Sequence, residues 1–209
     1  TEYGKTYGTK AEFEFRSALF KQELAHIEEQ NASGNTHTLG INHMSDWTEE
    51  EYRKLLGYKP EMKEKKEPRF LEITEPMAEE INWVDQGAVT PVKNQGQCGS
   101  CWSFSAAGCI DSRLAIAQNN SPVEHSEQQL VDCSGSYGNN GCNGGLMNNA
   151  FQYVQAGHPL ETSAAYPYTA SVGTCKYKSS NGVASISSYS NVPQKSVNGL
   201  KNAIAQGPV

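Results

Sequence analysis

QGQCGSCWSF, residues 95–104, is the most informative segment of this sequence, because tight-turn glycines lead directly into a helical pattern. Apolar residues recur at near-helical spacing from Cys101 to Gln118, so Cys101 is predicted to be at a helix N-terminus. The unpaired amides there favour a thiolate, which is the form in which cysteine acts as a nucleophile. The side-chain amide of Gln95 and the backbone N–H of Cys101 would then stabilise an oxyanion.

Cys98 and Cys101 also form a C-x-x-C unit, and their chemistry alone leaves three interpretations open. Cys101 is a nucleophile, or the two are a redox pair or half of a zinc site, or they belong to structural disulfides. A redox pair is expected after a strand in a βαβ unit, and a zinc ribbon needs a second closely spaced pair; the flanking sequence predicts neither. The first 97 residues contain no cysteine, and all six lie in the predicted C-terminal part, which suits an oxidising compartment: Cys98, Cys101, Cys109, Cys133, Cys142 and Cys175.

The composition argues against two classes of partner. The chain has 209 residues, 37% of them hydrophobic, and a formal charge of −6. Nucleic-acid binding needs a clustered basic surface, so we expect no nucleic-acid partner. No apolar run approaches the roughly 18 residues that a membrane-spanning helix needs, so we expect no membrane insertion. The basic cluster Lys59–Arg69 is interleaved with Glu and Pro, which favours a solvated linker.

The first part of the chain is predicted to begin with an amphipathic helix over Ala11–Asn31, because apolar residues recur every seven positions from Phe13 to Ile27. One stripe of this helix has residues at spacings of three and four, on which Glu12 would pair with Arg16. The spacing alone fits any amphipathic helix equally well. The residues of the stripe are Glu12, Arg16, Phe20, Glu23, Ile27 and Asn31.

Two shorter elements are predicted next. Residues 38–42 alternate briefly, which predicts a short strand. Thr48 and Glu51 form a capping-box pattern, which predicts a helix that ends at Gly57. The chain is thus predicted to have an N-terminal helical domain, a linker and a larger C-terminal domain, with the bounds 1–57, 58–80 and 81–209.

The third part is predicted to contain further helices. Ser126 is predicted to cap one of them, with Gln129 in the capping-box position. Another short helix is predicted over Leu146–Gln155, after a loop rich in Gly and Asn. Beyond Tyr166 the pattern favours strand and turn.

Residues 95–104 resemble the active-site segment of papain and the cathepsins, whose signature is C-G-[SA]-C-[WY]. Further segments resemble that family in the same order: Asn82-Trp83, Val89–Gln95, Ser126–Cys133, Gly141–Gly145 and Tyr166–Tyr168. The stripe on the first helix resembles the ERFNIN propeptide pattern, with Glu23 in place of an Asn. The GNFD pattern is matched with Met44 in place of Phe, by Gly40, Asn42 and Asp46. Both departures are mild and would weaken inhibitor affinity at most.

The resemblance covers nearly the whole chain and implies the proenzyme of a papain-like cysteine protease of the cathepsin L type. The implied fold is α+β: a small helical inhibitor propeptide, then a papain-like two-domain fold with a complete helical left domain and a truncated β-rich right domain. The implied activity is that of a thiol endopeptidase working through an acyl-enzyme. The resemblance also implies polypeptide substrates and a propeptide that acts as an intramolecular inhibitor. It further implies a monomer without cofactor or metal, and a lysosomal, vacuolar or secreted location.

The resemblance assigns roles to particular residues. Cys101 is implied to be the nucleophile, Gln95 to hold the oxyanion, and Trp102 to be a packing residue. Disulfides are implied for Cys98–Cys142 and Cys133–Cys175. Cys109 has no partner in the family pattern, and we expect a small buried thiol there.

The implied substrate-binding residues are Gly144, Gly145, Leu146 and Met147. Gly145 would pair its backbone with the substrate chain. Leu146 and Met147 would wall the pocket for the side chain two before the scissile bond, which predicts a preference for hydrophobic or aromatic side chains.

A cysteine nucleophile of this kind also needs a histidine base and an asparagine, which the family places roughly 130–150 residues downstream of the cysteine, beyond Val209. None of the five histidines matches, and surface or turn roles are expected for all of them: His26, His37, His43, His125 and His158. The chain is therefore expected to hold half an active site. The rival interpretation is an inactive protein of the propeptide-inhibitor type. Maturation is expected to cut between Ile73 and Glu80.

Overall fold

The computed structural model describes residues 2–62, 69–71 and 80–209. The chain divides into a first unit, Thr1–Lys54, and a second unit, Leu55–Val209. Within the described ranges the regular structure is helical, and the β structure consists of isolated bridges between single residues. None of the helices in those ranges is both long enough and apolar enough to cross a membrane.

The first unit is built on α1, Lys10–Ala32. The side chain of Thr9 caps this helix by accepting a hydrogen bond from the backbone N–H of Glu12 at 3.1 Å. The helix predicted over residues 11–31 is therefore confirmed. Its buried residue is Ile27, at 6% exposure.

The ion pair predicted between Glu12 and Arg16 is wrong, because the Arg16 guanidinium pairs with Glu51. Its two terminal nitrogens donate to the two carboxylate oxygens of Glu51 at 2.5 and 2.7 Å. Nη1 also donates to the Asp46 carbonyl at 3.0 Å. Two parallel bonds to one carboxylate are stronger than a single pair on a helix surface, and Glu12 accepts from the N–H of Gly8 instead.

The short strand predicted over residues 38–42 is not formed. The Asn31 side chain donates to the Leu39 carbonyl at 2.9 Å and accepts from the Leu39 N–H at 2.7 Å. It therefore takes the backbone groups that a neighbouring strand would need. Downstream, Asn42 Oδ1 accepts from the N–H of Met44 at 2.7 Å, which begins a turn.

The second helix of this unit, α2, spans Glu49–Arg53 and begins at the predicted capping box. Thr48 accepts from the N–H of Glu51, and the Glu51 carboxylate accepts from the N–H of Thr48. The helix ends at Arg53, although it was predicted to continue to Gly57. The Leu55 carbonyl and the Gly57 N–H bond to side chains elsewhere in the second unit, so neither continues the helix.

The second unit packs three helices around one core. The α-helices of its described part are α3, Cys101–Gln118, α4, Glu127–Cys133, α5, Met147–Gln155, and α6, Val197–Ala205. The core side chains come from α3, α4, α5 and the segments after α5: Trp102, Ala106, Ala107, Ile110, Leu130, Val131, Ala150, Tyr153, Val154, Leu160 and Ala184. The predictions of α3 and of a helix at residues 146–155 are confirmed, with Leu146 as the N-cap of α5.

Ser126 caps α4 as predicted, accepting from the Gln129 N–H at 2.9 Å. Gln129 does not complete a capping box, because its side chain is wholly buried and bonds elsewhere. Nε2 donates to the Tyr153 hydroxyl at 3.1 Å and the Pro159 carbonyl at 3.2 Å, and Oε1 accepts from the Glu161 N–H at 2.8 Å. This amide therefore ties α4 to α5 and to the loop that follows.

The prediction of strand and turn beyond Tyr166 is wrong at α6. The Ser196 side chain caps this helix by accepting from the Gly199 N–H at 3.0 Å. Elsewhere beyond Tyr166, the described β structure amounts to single bridges that Ala184 and Asn191 form with residues earlier in the chain.

Two histidines differ from the surface or turn roles that were expected. His125 is 5% exposed, and its Nδ1 lies 2.7 Å from Asp111 Oδ1. His158 is half-buried and stacks on the ring of Tyr153 with centroids 4.6 Å apart. Asp111 lies inside α3 and Tyr153 lies inside α5, so neither contact could be predicted from the residues that flank the histidines.

Candidate active site

Cys101 is the first residue of α3 and carries a free, half-buried thiol. Cys98 is bonded to Cys142, and Cys133 is bonded to Cys175, as the resemblance implied. A redox pair between Cys98 and Cys101 is therefore excluded, since one of the two sulfurs is already in another disulfide. Of the three interpretations of the C-x-x-C unit, the nucleophile remains for Cys101 and the structural disulfide for Cys98.

The Gln95 side chain lies half-buried in the loop before α3. Its Nε2 donates to the Cys98 carbonyl at 2.7 Å and to the Leu55 carbonyl at 3.0 Å. The first bond fixes the amide to the loop that precedes Cys101. The second shows that the same amide binds a peptide carbonyl, which is what an oxyanion donor must do.

Tyr168 holds this loop against α3, a role that the sequence did not reveal. Its hydroxyl donates to the Gln95 carbonyl at 2.9 Å and lies 2.6 Å from the Ser100 hydroxyl. Its ring packs edge-on against Phe104, with centroids 4.8 Å apart. Since the Ser100 hydroxyl is engaged with Tyr168, it makes no cap bond to the first turn of α3.

A buried ionic cluster ties the same loop to α3 and α4. Lys93 Nζ lies 3.2 Å from Asp111 Oδ2 and 2.6 Å from Glu127 Oε1. Burial raises the pKa of Glu127, although the hydrogen bond from Lys93 opposes that change. For Lys93, burial would lower the pKa, but bonding to Glu127 and Asp111 outweighs it and the pKa is raised. Asp111 also accepts from the backbone N–H of His125 at 3.2 Å, so Lys93 is the partner that the two carboxylates share.

The segment Leu55–Lys59 covers the thiol. The Gly57 N–H donates to Cys101 Sγ at 3.2 Å, and the Gly57 carbonyl accepts from the Gly145 N–H at 2.8 Å. The Lys59 N–H then donates to the Gly145 carbonyl at 3.3 Å. Gly145 thus pairs with an extended backbone in the parallel sense, through the bridge between Tyr58 and Gly145.

Glycine is required at three positions in this contact. A Cβ on Gly57 would overlap the Gly99 carbonyl oxygen. A Cβ on Gly145 would lie 2.6 Å from Asn139 Oδ1 and 2.8 Å from the Trp102 ring. Gly144 adopts a φ of 113°, which favours glycine, and a Cβ there would lie 2.8 Å from the Gly57 carbonyl.

Leu146 and Met147 follow Gly145 directly at the start of α5. Leu146 is 7% exposed, and its N–H donates to Asn139 Oδ1 at 2.9 Å. Met147 is half-buried and packs against the core. Trp102 is wholly buried and its indole N–H donates to the Gly141 carbonyl at 3.2 Å, consistent with the expected packing role.

Cys109 differs from Cys101 although both thiols are free. Burial raises the pKa of the Cys109 thiol, while Arg113 acts in the opposite direction. Its sulfur lies 3.6 Å from the Pro208 carbonyl. Cys109 is nevertheless half-buried and is not among the core residues, so the small buried core thiol that was expected is found only in part.

Two of the propeptide-motif residues, Arg16 and Asp46, lie in one polar network of the first unit. Asp46 is 6% exposed and accepts from Lys5 at 2.7 Å and from the Tyr7 hydroxyl. Burial would raise the pKa of Asp46, but these hydrogen bonds outweigh it and the pKa is lowered. The hydrogen bonds from Arg16 lower the pKa of Glu51 to about 2.

The other motif residues have simpler surroundings. Phe20 is half-buried, and Asn42 Oδ1 accepts from a turn N–H. Gly40 is exposed, a Cβ at this position would meet open space, and nothing in the structure explains a glycine there. The expected cleavage region, Ile73 to Glu80, lies outside the described residues except for Glu80.

Residues 77–209 match the papain family of cysteine proteases, and residues 1–52 match the cathepsin propeptide inhibitor domain. Cysteine proteinase 6 of Dictyostelium discoideum is 44% identical over 205 residues, covering 94% of this chain and 46% of that protein. Procathepsin L of Rattus norvegicus is 39% identical over 214 residues, covering 98% of this chain and 62% of that protein. The chain thus spans about half to two thirds of the length of these relatives.

Among solved structures, digestive procathepsin L 3 from the larval midgut of Tenebrio molitor matches with a TM-score of 0.86 and 34% identity. The match covers 98% of this chain and 67% of that one. The second unit has a free thiol at a helix start with its own backbone across it, as expected of a cysteine protease fold. The chain belongs to the papain family of cysteine proteases, with cathepsin L-like relatives and a cathepsin propeptide inhibitor domain.

Proposed function

We propose that this chain belongs to the zymogen of a thiol endopeptidase, in which Cys101 attacks the peptide carbonyl and Gln95 stabilises the oxyanion. The observation that carries the proposal is the pair of bonds from Gly57 N–H to Cys101 Sγ and from Gln95 Nε2 to the Leu55 carbonyl. The two groups that the chemistry would use both bind the same short stretch of peptide backbone.

In the proposed reaction, Cys101 Sγ bonds to the carbonyl carbon, the peptide C–N bond breaks, and water later releases the acyl group. A histidine must take the thiol proton and return it to the leaving amine. All five histidines are among the described residues, and none hydrogen-bonds to Cys101. The 209 residues are therefore proposed to bind peptide without hydrolysing it on their own.

The proposed substrates are polypeptides that pair with Gly145 and place a hydrophobic or aromatic side chain two before the scissile bond. Support comes from the backbone that Gly145 already binds, and from the apolar Leu146 and Met147 beside it. Gly144 would leave room for the substrate backbone beside Gly145, since a side chain at position 144 would overlap a backbone bound there.

Residues 1–57 are proposed to act as an intramolecular inhibitor, 58–80 as its linker with the maturation site, and 81–209 as the peptidase part. Acid is proposed to release the inhibitor, because the lowered pKa values of Asp46 and Glu51 make their pairing weaker as the pH falls. A monomer is proposed, without cofactor, nucleic acid or membrane partner. The two disulfides support a lysosomal, vacuolar or secreted location.

The rival function, a propeptide-type inhibitor without catalysis, is not favoured, because residues 77–209 match the protease family. The test is a chimera that continues this chain with the corresponding C-terminal part of the rat relative. We expect peptide hydrolysis after propeptide removal, lost by about 10⁴-fold or more in Cys101→Ser. Hydrolysis that persisted in Cys101→Ser would refute the assignment of the nucleophile.

A further inference from the structure

The segment Ser187–Asn191 is fixed along one face of α5. Positions 148, 151, 152 and 155 share that face, since they are spaced by three and four residues. The ring of Phe151 packs against Tyr189 with centroids 5.5 Å apart. Three side-chain amides complete the attachment: Asn148 to Asn191 Oδ1 at 2.8 Å, Gln152 to the Tyr189 hydroxyl at 3.0 Å, and Gln155 to the Ser187 carbonyl at 2.7 Å.

Asn191 presents both of its backbone groups to another stretch of chain. Its N–H donates to the Arg69 carbonyl at 2.6 Å, and its carbonyl accepts from the Leu71 N–H at 2.8 Å. Together they form a parallel bridge centred on Phe70, whose side chain is 51% exposed. The contact is therefore made by backbone, and neither of its bonds uses the N–H of Phe70.

This edge shares its support, α5, with Gly145, the residue that pairs with the segment covering Cys101. Leu146, the N-cap of α5, directly follows Gly145, and Asn148 of the same helix holds Asn191. Both edges bind an extended backbone through the N–H and C=O of a single residue, and both bind it in the parallel sense. A strand-like polypeptide is the ligand whose alternating donors and acceptors fit such an edge.

We propose that the Asn191 edge is a second peptide-binding place outside the cleft. It holds the linker through Arg69–Leu71 in the zymogen, and it receives an extended segment of a protein substrate once the linker has gone. The substrate part of this proposal rests on the proposed protease function. Because backbone groups make the contact, the edge accepts many sequences, and its position on α5 is set by the amide of Asn148.

The first test compares two proline variants of the full chain by hydrogen exchange. Leu71→Pro removes the N–H that donates to Asn191, whereas Phe70→Pro removes an N–H that the bridge does not use. We expect the Asn191 amide to exchange about tenfold faster in Leu71→Pro and at an unchanged rate in Phe70→Pro. Equal exchange rates of the Asn191 amide in both variants would overturn the proposed contact between the linker and the Asn191 edge.

The second test measures binding of a labelled peptide with the sequence of residues 66–74, KEPRFLEIT, by fluorescence anisotropy. The protein is the chain with Leu71→Pro and Cys101→Ser, which retains Leu55–Lys59 and in which fast exchange of the Asn191 amide marks an open edge. We expect saturable binding that weakens about tenfold when the Leu71 nitrogen of the peptide is methylated, and not when that of Phe70 is.

A scrambled peptide should bind within about threefold of the original, because the backbone makes the contact, and Asn191→Pro in the protein should remove binding. Absence of saturable binding, or equal effects of the two methylations, would overturn the proposal. Turnover is not measured in either test, so these results stand apart from the outcome of the chimera experiment.

Discussion

Gly57 keeps the thiol covered because it has no side chain. Its N–H reaches Cys101 Sγ at 3.2 Å, and a Cβ would overlap the Gly99 carbonyl oxygen. We expect Gly57→Ala to displace the covering segment and to raise the rate of Cys101 alkylation by iodoacetamide at least about tenfold, which corresponds to about 1.4 kcal/mol. The rate is read by peptide mapping of the unreduced chain.

Gly135→Ala is the matched control, because a Cβ at Gly135 meets open space and its backbone does not need glycine. That variant should alkylate at the original rate. Cys109 should react slowly in every variant, since burial raises its pKa. An unchanged rate for Gly57→Ala would show that this contact does not protect Cys101.

Individual residues were predictable where their neighbours in sequence identify them. Cys101 and Gln95 lie within one short segment whose turn glycines and helix start can be read directly. The role of Tyr168 was not predictable, because its hydroxyl bonds to the carbonyl of Gln95, 73 residues away. The burial of His125 was not predictable either, since its partner Asp111 lies inside α3, whereas His125 precedes α4.

The cluster of Lys93, Asp111 and Glu127 joins three elements: the Gln95 loop, α3 and α4. We expect Lys93→Met to reduce the free energy of unfolding by about 3–5 kcal/mol, because it leaves two buried carboxylates without their shared cation. Denaturant titration followed by circular dichroism measures the change.

The control is Arg53→Met, which removes an exposed pair with Glu49 whose two side chains are each 70% exposed. That change should cost less than about 0.5 kcal/mol. A small effect of Lys93→Met, comparable to that of Arg53→Met, would show that the buried cluster does not hold these elements together.

Arg16 and Glu51 join α1 to α2, and this link is sensitive to acid. The pKa of Glu51 is lowered from 4.5 to about 2 by hydrogen bonds from Arg16, so its stabilisation is present above pH 4.5 and is lost as the pH falls towards 2. We expect Glu51→Gln to cost about 1.5–3 kcal/mol at pH 7 and to flatten this pH dependence.

Fluorescence of the half-buried Trp47 in the first unit reports the transition at each pH. Glu50→Gln, on the same helix at an exposed position, should leave both the stability and its pH dependence unchanged. If Glu51→Gln kept the acid-sensitive transition between pH 4.5 and 2, other carboxylates would have to account for it.

Helices with a clear cap were predictable, and elements that depend on distant partners were not. Thr48 and Ser126 mark α2 and α4 correctly. The strand expected over residues 38–42 is not formed, because the Asn31 side chain bonds to both backbone groups of Leu39. The start of α6 carried a readable signal in Ser196, but the glycines and prolines around it favoured turns.

At the scale of the whole molecule, the two disulfides close loops of similar length, with separations of 44 and 42 residues. Replacing either pair by serines should cost about 4 kcal/mol through the entropy of the unfolded chain. Thermal or denaturant unfolding of the two double variants measures that loss.

The two disulfides should differ in their effect on the rate at which the Cys101 thiol is alkylated. Cys98→Ser with Cys142→Ser frees the loop before Cys101 and should accelerate its alkylation, whereas Cys133→Ser with Cys175→Ser should not. Equal alkylation rates in the two double variants would show that the Cys98–Cys142 bond does not position this loop.

The order of the parts was predictable from composition, since the Glu-, Lys- and Pro-rich linker separates two regions with different patterns. What composition could not indicate is where the covering segment begins. The second unit already starts at Leu55, upstream of the boundary expected at residue 57. The reason is physical: Leu55 and Gly57 contribute backbone groups, which leave no trace in side-chain pattern.

The close approach of Gly57 to Gly99 has a genetic consequence. Any amino-acid replacement at codon 57 adds at least one carbon where the structure has no room for it. A replacement at codon 57 is therefore expected to uncover the Cys101 thiol while the core of the second unit persists, so a missense mutation at this codon would add a reactive group to the surface and not remove a structural one.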